Sequence, residues 1–209
     1  MKTKDQQYFL IIDLEATCND EPPLPSQDME TIEVGAVLVD LQKNEEVATF
    51  RTMVSPVKMH NVTPFCAQLT GITKDDVKHA PDFEEVIWAL DNWLAGFTDQ
   101  RVFWGSWGRY DANQIERDSK RHKVTSVALG THTNLKEMFK KQKGGDRKQV
   151  GLSRALKICG LEFEGRKHSA LWDAKNVARL VYDSHLTINE TEIIKYSKKN
   201  NQHQKTLET

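Results

Sequence analysis

Asp13 and Glu15 lie one residue apart where an apolar run ends, in FLIIDLEATC (residues 9–18). Side chains alternate along a strand, so both carboxylates point to one side. Two like charges that close raise each other's pKa and cost energy unless a cation stands between them. The stretch alone leaves two readings: a strand end opening into a solvated acidic loop, or half of a cation site. Asp111 follows VFWGSWGRY and opens a helix, where an acid is favoured electrostatically and capping is an adequate explanation. His168 and Asp173 stand five residues apart in HSALWDAKNVARL, one and a half helical turns, so they do not stack on one ridge. His168 falls at or just before a helix start, where it could swing over a site that Asp173 lines. Taken singly, it reads as a surface or cap histidine.

The elements that must position these groups are legible from pattern. Tyr8–Leu14 is apolar throughout, as in a central strand covered on both faces. Residues 31–41 (TIEVGAVLVDL) and 47–54 (VATFRTMV) predict two further strands in an antiparallel meander. Thr63-Pro64 opens a helix running to about Leu69, and Ala80-Pro81-Asp82 opens another over FEEVIWALDNWLAGF. Trp88, Trp93 and Phe97 on that helix read as plain packing, as does Trp104. A short strand over residues 101–104 precedes a helix from Tyr110 to Arg121, with further helices over 134–141, 152–158 and 168–186. Strands first and alternating helices later predict one α/β domain with a mixed sheet, over residues 1–190. The polar stretch from Thr191 to Thr209 predicts a disordered tail.

The net charge of −1 hides an asymmetry. Residues 1–100 hold 7 Lys/Arg against 18 Asp/Glu, and the remainder holds 22 against 12. Ten of those basic residues lie between Arg117 and Lys148. An acidic pole beside a basic stretch suits a protein that holds metal cations and a polyanion together, although a solvated basic face gives the same count. Lys140, Lys141, Lys143, Arg147 and Lys148 are the candidates to track phosphates. No apolar run approaches the length of a membrane span, and the start MKTKDQQYFL lacks the apolar stretch of a signal peptide. Cys18, Cys66 and Cys159 are odd in number and widely spaced, which predicts reduced thiols and a cytoplasmic setting.

Together, the four acids and the histidine resemble the DEDDh, or DnaQ-like, 3′-to-5′ exonucleases. The motifs are Asp13-x-Glu15, Asp111 behind an aromatic turn, and His168-x-x-x-x-Asp173, in order across residues 8–185. DLEATC (13–18), FCAQLTGIT (65–73), GSW (105–107) and GLEFEGRKHSALWDAKNVARL (160–180) are similar to the Eri-type exoribonuclease subgroup. In that subgroup a tryptophan commonly stands directly before the second-motif aspartate. Here Tyr110 takes that place and Trp107 lies four residues before Asp111, which leaves both rings as stacking candidates.

The resemblance implies a single ribonuclease H-like domain and hydrolysis from the 3′ end of RNA or single-stranded DNA, RNA being favoured by the Eri-like stretches. It implies two Mg²⁺ or Mn²⁺ ions, since hard oxygen ligands suit them. Asp13 would bridge both ions, Glu15 and Asp173 would complete the water-activating site, and Asp111 would support the second ion. His168 would be the general base, as histidines titrate near physiological pH. Ala16 and Thr17 would approach the terminal 3′-hydroxyl, and Phe65, Leu69, Trp107 and Tyr110 are candidates to stack on or wedge the last bases. A proofreading subunit, a DNA exonuclease and a non-catalytic binding module are the alternatives.

Overall fold

The protein, described by a computed structural model over residues 7–144, 149–183, 185–189 and 191–193, is built on a mixed sheet. Among the described residues the sheet has five strands: β1 (Tyr8–Ala16), β2 (Thr31–Asp40), β3 (Glu45–Met53), β4 (Val102–Ser106) and β5 (Leu129–Asn134). Their spatial order is β3-β2-β1-β4-β5. The first three form the expected antiparallel meander, and β4 and β5 add in parallel on the other side of β1.

Helices cover both faces. In chain order they are α1 (Pro64–Thr70), α2 (Lys74–Val77), α3 (Phe83–Ala95), α4 (Tyr110–His122), α5 (Leu135–Phe139), α6 (Leu152–Ile158) and α7 (Ala170–Tyr182). The alternation of β1 divides the core in two. Phe9 and Ile11 pack with Val37 and Val39 against α5, α6 and α7. Leu10, Ile12 and Leu14 pack with Val34, Ala36 and Leu38 against α3. Asp13 and Glu15 keep the phase of Phe9 and Ile11, so the strand itself aims both acids at the α7 side. Glu33 and Gly35 of β2 share that phase and stand opposite them in the ladder.

Local signals set the helix starts. Thr63 caps α1 by accepting from the Cys66 amide with Pro64 in the first turn, and Asp82 and Glu85 form a capping box on α3. A buried network seats α4: Asp118 accepts from the amide and hydroxyl of Thr31 (3.0 and 2.6 Å) and from Gln114 (2.8 Å), and it pairs with Arg121.

Three expectations need correction, and one strand was not expected. The helix predicted over 168–186 runs only from Ala170 to Tyr182, because His168 adopts a left-handed backbone (φ +57°) that a helix cannot include. Trp88 is 54% exposed, since Ile87 beside it takes the inward-facing position on α3. The helix predicted over 134–141 ends at Phe139 and continues as a wider π turn over Lys140–Gly144. The unexpected strand is β5, which the sequence pattern did not predict. Of the tail predicted over 191–209, residues 191–193 are ordered and Ile193 is buried in the core; residues 194–209, like Arg147 and Lys148, lie outside the described residues. Among the described residues no helix is long and apolar enough to cross a membrane.

Candidate active site

The carboxyl ends of the parallel strands β1 and β4 open into a cleft of about 330 Å³. Asp13, Glu15, Asp111, His168 and Asp173 all line it, although they lie up to 160 residues apart in the chain. Its remaining lining is Leu14, Ala16, Cys18, Leu69, Trp107, Tyr110 and Leu152. A larger hollow, near 490 Å³, lies beside the α3–β4 connection and Gln7, and holds none of these acids.

Each acid is delivered by a different device. Asp13 and Glu15 arrive by strand parity, and a register break between Glu15 and Ala16 bends the end of β1. Asp111 sits in the first turn of α4 and is buried. One of its oxygens accepts the Leu14 amide (3.1 Å), which pins the helix start to the end of β1. Asp173 sits in the first turn of α7 and accepts the backbone amide of His168 (2.8 Å), so the fourth acid is fastened to the loop that carries the imidazole.

Two contacts hold α7 in place. Glu33 is buried, accepts the Ala170 amide (3.0 Å) and is paired with Arg51 (2.6 Å). Gly35 lets the helix come down, because a Cβ there would collide with the backbone of Ala170 and Leu171. The loop before His168 is clasped from behind: the Asn176 side chain bonds both the amide and the carbonyl of Glu164 (3.0 and 2.8 Å), and Gly165 lies under the Trp172 ring. His168 itself stays exposed at the rim on its strained backbone, a conformation that surrounding structure must impose.

The electrostatics are those of acids forced together. Burial first, and then the charges of Asp111, Asp173, Glu15 and Glu33, push Asp13 well above the usual carboxylate range. Burial and the neighbouring Asp173 lift Glu15 to about 8. Asp111 rises to about 6 through burial, against hydrogen bonds that would lower it, and burial raises Asp173 as well. Ligand atoms of Glu15, His168 and Asp173 fall within 4.8 Å of one another. A dense, partly desolvated set of oxygen donors with no lysine or arginine among the described lining residues is a fit for a hard divalent cation.

The softer candidates divide. Ala16, Leu69, Trp107 and Tyr110 line the cleft. Thr17 does not: it is fully buried, its hydroxyl accepts the Glu30 amide (3.0 Å), and it belongs to the wall. Phe65 does not either, being half-buried on α1 one turn before Leu69. Trp107 is held fast, with its indole N–H on the Val150 carbonyl (3.2 Å) and its ring edge-on to Phe139. Cys18, Leu14 and Leu152 were missed as lining residues. Cys18 stands beside Cys66, and their hydrogen bond and burial push its thiol far up.

The family model described as Exonuclease (RNase_T) matches residues 10–181. The chain is 32% identical over 193 residues to an "ERI1 exoribonuclease 2" of Danio rerio, covering 83% of this chain and 34% of that protein. It is 32% identical over 184 residues to a "3′-5′ exoribonuclease 1" of Rattus norvegicus, covering 83% and 51%. The chain thus spans about half or less of the length of these curated relatives. Among solved structures, the nuclease domain of 3′hExo, a DEDDh family member bound to rAMP, superposes with a TM-score of 0.79 at 28% identity, covering 88% of this chain and 97% of that one.

Proposed function

The chain belongs to the RNase_T exonuclease family, and from that premise we propose that it is a two-metal-ion 3′-to-5′ exonuclease. It would remove nucleoside 5′-monophosphates from the 3′ end of single-stranded nucleic acid, RNA in preference to DNA. The observation that carries the reading is the convergence of four carboxylates from β1, α4 and α7 on one cleft, with the pKa of each raised. The exoribonuclease names of the relatives support RNA, and the rAMP bound to 3′hExo supports a nucleoside monophosphate product.

Asp13, Glu15, Asp111 and Asp173 would hold the ions, with Mg²⁺ or Mn²⁺ suited to an all-oxygen donor set. When bound, two such ions clamp the attacking and leaving oxygens of a phosphodiester in line. The chain supplies the rest. His168, beside Glu15 and Asp173 yet open to solvent, takes the proton of the attacking water on a ring nitrogen and passes it to bulk water. Ala16 lines the cleft next to the acids, and Leu69, Leu152, Trp107 and Tyr110 would offer apolar faces to the last bases. Lys140, Lys141 and Lys143, on the π turn after α5, would track the phosphates upstream.

Digestion of end-labelled single-stranded RNA and DNA, with Mg²⁺ and with chelator, tests the reading. Release of 5′-monophosphates from the 3′ end, abolished by chelator and faster on RNA, is expected. Chelator-insensitive hydrolysis, or cleavage of a circular strand as fast as a linear one, overturns it.

A further inference from the structure

A nucleic-acid strand must bring its phosphates to four carboxylates, yet no lysine or arginine is among the described lining residues of the cleft. One cation stands at the rim. A Cβ placed on Gly71 would collide with Cζ, Nη1 and Nη2 of Arg166, so the guanidinium fills the space that a side chain at 71 would take. Gly71 is the left-handed cap of α1 (φ +70°), two residues after Leu69, and Arg166 lies two residues before His168. Leu69 and His168 both line the cleft, so the contact joins two of its walls.

This seat is fixed relative to the acids. Just past Glu15, the Cys18 carbonyl accepts the hydroxyl of Thr63, the residue that caps α1 (2.7 Å), and Cys18 forms a β-bridge with Val62. The end of β1 therefore carries α1, and α1 carries Gly71. On the other side, Arg166 belongs to the loop that Asn176 clasps and Asp173 fastens. The end of β1, α1, the histidine loop and α7 close a ring around the cleft, and the guanidinium stands where the ring closes.

The neighbouring cations are engaged, and this one is not. Lys167 lies over the Phe163 ring, Lys175 pairs with Glu46, and Arg179 pairs with Glu164. Arg166 is exposed and has no hydrogen-bond, ion-pair or ring partner among the described residues. A guanidinium stays charged and offers five N–H donors in a planar fork that matches two phosphate oxygens. The dipole of α1 also favours a cation at this end, but Arg166 donates to none of the described carbonyls of its last turn.

We infer that Arg166 is a phosphate-binding residue at the mouth of the cleft, seated by Gly71 to grip the sugar-phosphate backbone of the entering strand. Contact with phosphate rather than base gives grip without sequence preference. The inference rests on the nucleic-acid reading of the cleft.

The test uses the full chain in an Asp13→Ala background, so that the probe is not consumed. Arg166→Ala, Arg166→Lys and Gly71→Ala are added singly. Binding of a labelled single-stranded RNA is followed by fluorescence anisotropy over a series of salt concentrations, with Tm measured beside it. Arg166→Ala should weaken Kd about 10-fold or more. It should also make the slope of log Kd against log salt about 0.7 shallower, the value of one single-strand phosphate contact. Arg166→Lys should keep the slope and recover part of the affinity, since it keeps the charge and loses the fork. Gly71→Ala, which evicts the guanidinium while leaving its charge in the chain, should weaken binding as well. Arg166→Ala with the Kd and slope of its Asp13→Ala parent overturns the inference. Weaker binding with a lower Tm and an unchanged slope also overturns it, as the signature of a packing or helix-capping role. Digestion by the chain with Asp13 intact separates the two readings. Arg166-dependent binding without cleavage supports the contact and overturns the nuclease reading. Metal-dependent cleavage with Arg166-independent binding does the reverse.

Discussion

Asp13 of β1 and Gly35 of β2 stand opposite one another in the ladder, and the bare Cα of Gly35 is the surface on which the first turn of α7 rests. One glycine thus sets the distance between the first acid of the site and the helix that brings the last acid and the histidine loop. Because the obstacle is backbone rather than a flexible side chain, nothing can yield cheaply.

Gly35→Ala should therefore lift α7 off the sheet. Overpacking of this kind costs about 1–3 kcal/mol of stability. A misplacement near 1 Å at a reacting centre lowers turnover on the order of 100-fold. Calorimetry and kcat on single-stranded RNA measure both. Gly151→Ala, where no described atom beyond its chain neighbours stands within 4 Å of the new Cβ, is the control. Wild-type turnover in Gly35→Ala would show that α7 does not depend on this contact.

The raised acids predict an inverted pH response in the absence of metal. Glu15 near 8, Asp111 near 6, and Asp13 and Asp173 also raised mean that the folded state holds more protons than the unfolded one from about pH 4 to 8. Unfolding free energy then falls as pH rises through that window, and the contribution is fully present only at its acid end. In EDTA the Tm should drop between pH 5 and pH 8. Mn²⁺ should restore it, more strongly at pH 8 than at pH 5, because protons compete for the same oxygens. A flat or rising Tm in EDTA contradicts the burial and mutual repulsion that raise these acids.

Asp13→Ala should abolish turnover while leaving the protein folded. Asp13 is the acid most surrounded by other charges, so its removal relieves repulsion and should raise the Tm in EDTA at pH 8. The Mn²⁺-induced thermal shift should shrink sharply. A loss of about 1000-fold in kcat corresponds to about 4 kcal/mol of transition-state stabilisation. Full activity would place the metal site elsewhere.

Much of this was legible before any coordinates, for reasons that differ by residue. The phase of FLIIDLEA gave both the burial of β1 and the direction of its acids, since alternation along a strand is local. β5 was not legible: LGTHTN is too polar to read as a strand, and it forms because β4 offers it a parallel partner. The start of α7 was misplaced because nothing local to RKHSA announces a left-handed residue at His168, which its bond to Asp173 and the clasped loop hold. The contact of Arg166 with Gly71 joins segments far apart in the chain and was invisible for that reason.

The two aromatic candidates can now be separated. Trp107 lines the cleft, yet its indole N–H is committed to Val150 and its ring to Phe139. Tyr110 is 48% exposed, and among the described residues its hydroxyl reaches the Met29 sulfur alone, at 3.6 Å. The free ring is the one able to adapt to a base. Tyr110→Ala should raise KM for RNA by roughly 5- to 150-fold, the value of one stacked base at about 1–3 kcal/mol, with little change in Tm. Trp107→Ala should instead destabilise by about 3–5 kcal/mol, as for a large side chain removed from a packed site. Below its lowered Tm the folded Trp107→Ala enzyme should keep a KM near wild type, since a fixed wall shapes the cleft without following the substrate. If KM rises for Trp107→Ala and stays unchanged for Tyr110→Ala, the anchored indole is the stacking platform, and its ties to Val150 and Phe139 serve to preorganise it.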